Sequence, residues 1–242
     1  MKKKLTCILF LLFCFLISVV RTNAQAALLV LLFGDKVASE KFNFSVVTGM
    51  NFSNISNQPD NKSLHGLNFG LGVNMKLSDK FYLKPEFRPL SPKGYKNNSS
   101  LATGTPEIDA AFNNVKTTRT LSYIDIPVLM AYQASKNIQL ALGPQVSFLG
   151  KAREKYYGAN DQIFERSIKS QLNSTDFGAT AAITYMLSAK RGGKGMNFQL
   201  RYYQGLSDVY KTGGKNSNNV FSINLEFPFI SDDVAKKNLA GQ

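Results

Sequence analysis

The chain has 242 residues, with 29 lysines and arginines against 16 acids, a formal charge of +13. One histidine and two cysteines exclude a two-histidine metal centre and the usual zinc signatures. The length holds one domain or two small ones. The basic balance points to acidic partners such as anionic lipid headgroups or polysaccharide.

Lys2, Lys3 and Lys4 precede the apolar run LTCILFLLFCFLISVV, which ends at Arg21-Thr22-Asn23-Ala24. A positive start, an apolar stretch and a small final residue make a secretory signal peptide over residues 1–24. Cleavage after Ala24 is expected, with Ala26 as the alternative. The run is short of the ~20 residues a spanning helix needs. Cys7 and Cys14 both lie inside it, so the mature chain is expected to carry no thiol, disulfide or cysteine ligand. Bulky Phe13 before Cys14 argues against lipidation. Losing Lys2, Lys3, Lys4 and Arg21 takes the formal charge from +13 to +9. Export makes nucleic acid a poor partner.

A second apolar block follows, AALLVLLFGDKVASEKF, residues 26 to 42. AALLVLLF suits about two helical turns ended by Gly34. Residues 25–41 are read as a periplasmic segment that docks at the mouth of a barrel or lies in the membrane interface.

From Phe42 onward the pattern alternates with period two. In FSINLEFPF, Phe221, Ile223, Leu225 and Phe227 share one face, and Ser222, Asn224 and Glu226 the other. Eight strands are predicted, at 42–53, 65–77, 80–90, 118–132, 137–149, 175–187, 195–206 and 219–229. Their connections alternate between long polar segments and the short SD, QASK and SAKRGGK. That asymmetry belongs to outer-membrane barrels, with long extracellular loops and short periplasmic turns. An even strand number returns both termini to the periplasm, where residues 230–242 read as a polar, disordered tail.

Alternation alone does not say which face meets lipid, because a soluble lipocalin-like barrel alternates too. The polar face carries Gly49, Gly66, Gly70, Gly72, Gly143, Gly178 and Gly205. Small residues suit the crowded interior of a narrow barrel. Phe42, Phe81, Tyr132, Tyr185 and Phe229 fall near strand ends, where interfacial aromatics belong. Pro85, Pro89, Pro127 and Pro144 mark bulges or strand ends. The expected fold is all-β: an eight-stranded antiparallel up-and-down transmembrane β-barrel with a short N-terminal helical segment.

YIDIPVLMAYQ, LALGPQVSFLG, DFGATAAITYML and RYYQGLSDVY together resemble the PorT-like outer-membrane β-barrels of Bacteroidetes, as does LLFGDKVASEKFNFSVVTGMNFS. The resemblance covers roughly residues 26 to 229 and implies a small OmpA-type barrel rather than any activity. One branch of such proteins is tied to protein secretion across the outer membrane.

With the apolar face outward, Lys76, Lys84, Glu86, Arg88, Asp125, Asp176, Arg201 and Glu226 project into the lumen. Buried charges need partners. Neighbouring strands suggest Glu86 or Arg88 with Asp125, and Arg201 with Glu226. A plugged, polar lumen is expected, with an ion path as the alternative. The third long loop carries Lys151, Arg153, Lys155, Arg166 and Lys169, a candidate extracellular anion-binding set. Within the long loops, IFERSIKSQL and PEIDAAFNNV are helical candidates. Anionic lipid headgroups, polysaccharide or a partner protein are the expected partners, besides the membrane lipid itself. No cofactor or metal is expected. A rim enzyme would have to use His65 with Ser63 and Asp60, and the chain is read as not an enzyme.

Overall fold

The computed structural model describes residues 39, 41–58, 60–99 and 101–240. The segment read as a signal peptide, residues 1–24, and the AALLVLLF block lie outside these residues. The strands are β1 Phe42–Ile55, β2 Lys62–Lys76, β3 Phe81–Asn97, β4 Lys116–Gln133, β5 Ile138–Tyr157, β6 Ile163–Ser167, β7 Thr175–Tyr185, β8 Asn197–Gly205 and β9 Asn218–Pro228. All except β6 form a closed antiparallel ring, because β4 pairs with β5 and β9 returns to β1. This is the expected eight-stranded barrel. Short β6 lies outside the ring, paired with β5.

Period-two alternation fixes which face each side chain takes. On β4, Ile124, Ile126, Val128, Met130 and Tyr132 point outward, while Asp125, Leu129 and Ala131 are buried inside. Outward residues are open to their surroundings: Leu67 is 67% exposed, Leu142 63% and Phe177 58%. A continuous apolar wall of this kind is unsuited to water and suited to lipid. Nine residues from Ile124 to Tyr132, tilted at ~40°, span roughly 23 Å, close to the ~25 Å apolar band of such barrels. Aromatics rim both edges. Phe52 and Phe221 pack with ring centroids 6.3 Å apart at the extracellular edge, and Phe81 and Tyr132 lie 5.3 Å apart at the periplasmic edge.

The interior is narrow enough to require glycine. A Cβ on Gly143 would stand 2.0 Å from the Val128 carbonyl oxygen, and one on Gly178 would stand 2.2 Å from that of Gln204. Only hydrogen fits at either place. Pro89 sits at the register shift between Arg88 and Ser91, so a missing ladder donor coincides with a bulge, as its sequence position implied.

Beyond the lipid belt, β3, β4 and β5 run further than predicted and their polarity inverts. Thr118, Thr120 and Ser122 now face outward, while Leu121 and Tyr123 turn into an apolar core with Ile55, Tyr95, Leu149, Ala152, Ile168, Leu172 and Val209. Above the membrane the barrel is therefore built like a soluble domain. Part of what read as long loops is sheet.

Two local expectations are corrected. IFERSIKSQL is not a helix: Ile163–Ser167 is β6, followed by a 3₁₀ turn at Lys169–Gln171. Pairing with the extension of β5 satisfies its backbone, and tertiary contact overrides a weak helical spacing. The C-terminal tail is not disordered, because Asp232–Ala240 is a helix (α2). Its Ala235 is buried against Gly192 at the end of the 3₁₀ turn Leu187–Arg191, where a Cβ would lie 2.1 Å from the Ala235 carbonyl oxygen. PEIDAAFNNV does contain the expected short helix (α1), Pro106–Ala111.

Candidate functional site: the filled bore and its extracellular cap

Ionic groups fill the bore in tiers. Nearest the periplasm, Lys84 Nζ donates to Glu226 Oε1 at 3.0 Å and to Gln139 Oε1 at 3.2 Å. Below this tier the described residues line a polar vestibule of about 640 Å³, bordered by Lys76, Lys136 and Lys237. Lys76, expected inside the lumen, stands at this rim with Asp79 3.2 Å away. In the middle tier, Glu86 accepts from Arg88 Nη1 at 3.0 Å and from Arg201 Nη2 at 2.5 Å. Arg88 Nη2 also reaches Asn68 at 2.6 Å. One tier further out, Lys93 Nζ lies 3.2 Å from both Asp125 and Asp176. The rings of Tyr123 and Tyr203 flank the same ammonium at 4.5 and 4.2 Å.

Apart from Lys76 at the rim, the predicted residues are in the bore, but not in the predicted pairs. Arg201 bonds Glu86, and Glu226 bonds Lys84, so each pair crosses the lumen instead of joining neighbouring strands. Arg88 is in register with Asp125, yet its guanidinium turns to Glu86 while Asp125 takes Ser91 Oγ at 2.5 Å and Lys93. A barrel of this width brings opposite walls within side-chain reach, which adjacency along the sheet cannot reveal. Lys93 was missed because it lies beyond the predicted end of its strand.

Four cations (Lys84, Arg88, Lys93, Arg201) meet four carboxylates (Glu86, Asp125, Asp176, Glu226), each at most 5% exposed. Charge balance and mutual bonding offset the desolvation that isolated buried charges would suffer. Between the middle and outer tiers remains a cavity of about 10 Å³, room for a single water.

Glu154 organises the cap. Wholly buried, it accepts from Arg119 Nε at 2.9 Å, Tyr156 Oη at 2.7 Å and Arg166 Nε at 2.8 Å. Arg119 also donates to Tyr210 Oη at 2.5 Å. Burial pushes the Glu154 carboxyl up, but Arg119 beside it and the donors from Tyr156, Arg119 and Arg166 outweigh that and hold it below the usual range. The 3₁₀ turn at Lys169–Gln171 is flanked by Ile168 and Leu172, both buried in the apolar core that closes the extracellular end.

The candidate anion-binding residues divide. Arg166 turns inward to Glu154 and to the carbonyls of Ala102 and Thr103, so it belongs to the cap. Arg153 and Lys155 face outward on β5 and share Glu165 at 2.7 and 3.0 Å. Lys151 and Lys169 are exposed, without an ion pair among the described residues. His65 lies on the outer wall with its ring 4.9 Å from that of Phe52. Ser63 shares its strand and Asp60 sits in the adjoining turn with φ of 49°.

Comparison with solved structures returns small outer-membrane barrels. Ail, the attachment invasion locus protein of Yersinia pestis, is 11% identical over 78% of this chain and 99% of its own, with a TM-score of 0.44. Neisserial surface protein A matches at 11% identity over 78% of this chain and 99% of its own, with a TM-score of 0.45. The N-terminal β-barrel domain of Pseudomonas aeruginosa OprF matches at 10% identity over 76% and 97%, with a TM-score of 0.31. A comparison with curated proteins gives no match. Residues 24–211 match the family described as the outer membrane protein beta-barrel domain, and the chain belongs to that family.

Proposed function

We propose that this protein is a closed, non-conducting outer-membrane barrel of PorT-like kind that acts through its extracellular sheet, as a structural or surface-binding element for anionic partners. The observation that carries this reading is the bore itself. Its buried cations and carboxylates bond one another across the lumen, and an apolar core lies above them. An ion would have to break paired charges that are already desolvated, at several kcal/mol per ion. A balanced bore also offers no net field to draw either sign of ion through.

The surface half of the reading rests on where the strands go. From Lys116 to Ser122, β4 rises about 23 Å along its own length beyond the lipid belt. A barrel that served only to fill the membrane has no need of this extension. The cations on its outer face suit acidic groups, whether of lipid, polysaccharide or a partner protein. No catalytic step is assigned, and the ring contact between His65 and Phe52 supports a packing role for the histidine.

Single-channel recording in planar bilayers tests the closed bore. Purified, folded protein is expected to give no steady conductance steps, whereas large stable steps overturn the reading. Retention on immobilised acidic polysaccharide or anionic lipid, compared with neutral counterparts, tests the surface role.

A further inference from the structure

We infer that the outward face of the extracellular sheet holds the phosphates of a glycolipid in the outer leaflet of the protein's own membrane. This rests on the surface-binding reading above and names its ligand. Register places the groups. Ser122 pairs with Lys151, Thr120 with Arg153 and Thr118 with Lys155, while Lys96 stands on the other side of Thr118. A column of three hydroxyls is thus flanked by cations on one outward face. Hydroxyl donors beside ammonium and guanidinium groups are what phosphate oxygens accept from.

Position selects the source of the phosphate. The same outward column continues downward into Ile124 and Phe148, which face lipid. Lys151 therefore stands where headgroups begin. Each further pair of residues along a tilted strand climbs ~5 Å, so Lys151 to Lys155 covers ~10 Å of height. A phospholipid headgroup layer is only ~5–7 Å deep. The face is taller than that, as suits a headgroup of sugar bearing phosphate. Glu165 already neutralises part of Arg153 and Lys155, but their side chains remain 53% and 41% exposed. Lys96 and Lys151 form no ion pair among the described residues. The face stays net basic.

The test uses the full-length protein folded in neutral detergent. Its binding to diphosphorylated lipid A is compared with binding to the same lipid stripped of phosphate. Wild type is expected to prefer the phosphorylated lipid. The K151Q/R153Q/K155Q variant is expected to lose roughly a hundredfold, at about fivefold per cation near anionic headgroups. Heat-modifiable gel migration confirms that the variant is folded. Should the triple variant not fold, K96Q and K151Q made singly are each expected to weaken binding about fivefold. Equal affinity for the two lipids, or a folded variant that keeps the preference, overturns the assignment. Soluble dextran sulfate binding as tightly as the lipid overturns the membrane source while leaving the surface-binding reading intact. Failure to bind any of these probes, in a barrel that also conducts, overturns both.

Discussion

Arg201 on β8 and Glu86 on β3 meet across the bore, Nη2 to Oε1 at 2.5 Å, although 115 residues separate them in sequence. Arg88 holds the other oxygen of the same carboxylate. One acid thus serves two buried guanidinium groups, and the middle of the barrel depends on it.

Glu86→Gln is therefore expected to destabilise the folded barrel by about 3–5 kcal/mol, because two buried cations lose their carboxylate. Pairing it with Arg201→Met is expected to recover part of the loss, since only Arg88 then lacks a charge partner. Urea titration of the barrel in lipid vesicles, followed by heat-modifiable migration, measures both. A double variant no better than Glu86→Gln alone would contradict the cross-lumen pairing.

Lys93 sits between two carboxylates, Asp125 and Asp176, whereas Lys84 pairs with one among the described residues, Glu226, beside the neutral Gln139. Removing Lys93 strands two carboxylates and removes the cation from between two tyrosine rings. Lys93→Met is accordingly expected to cost more than Lys84→Met, at least ~3 kcal/mol. The same titration gives the order, and the reverse order would contradict the tiered arrangement.

The cap is expected to open separately from the barrel. Leu172→Ala removes a buried side chain from the extracellular core, a loss of about 2–5 kcal/mol felt locally. Limited proteolysis should cut faster within residues 158–174, while the urea midpoint of the barrel stays unchanged. Equal loss in both would mean that cap and barrel unfold as one.

Acid should loosen the cap in the same way. Folding holds the Glu154 carboxyl below its ordinary value of 4.5, through Arg119 and its hydrogen-bond donors and against the opposing effect of burial. A lowered carboxyl contributes stability that is complete above that ordinary value and fades as pH falls through the lower folded value. Amide protection over residues 151–172, taken relative to the intrinsic exchange rate at each pH, is expected to fall as the pH drops below about 4.5. In Glu154→Gln that protection is expected to be low already at neutral pH, with little further change in acid.

Much of this was legible in the sequence because strand alternation is a local property. A period of two assigns each side chain a face, and once the alternation of loop lengths pointed to lipid outside, Gly143, Glu86 and Arg201 had to lie within. The lipid belt and the ring of strands followed from that rule. Where the rule's polarity reverses, beyond Leu90 on β3 and Leu149 on β5, the extensions looked like loops, because outward residues there such as Lys96 and Lys151 face water and carry the charges of loop composition. The helical spacing of IFERSIKSQL lost to a strand partner that the sequence does not announce.

The sequence by itself thus determined the barrel, the order of its ring strands and most of the charges inside it, Lys93 excepted, since each depends on neighbours along the chain or on the next hairpin. Only the tertiary structure decided which charges meet. Closing the ring brings Glu86 to Arg201 and Lys84 to Glu226 across the bore, distances that no hairpin register contains. The same closure gathers Ile55, Leu121 and Val209 from separate hairpins into one cap, because burial of apolar surface rewards whatever the fold places together.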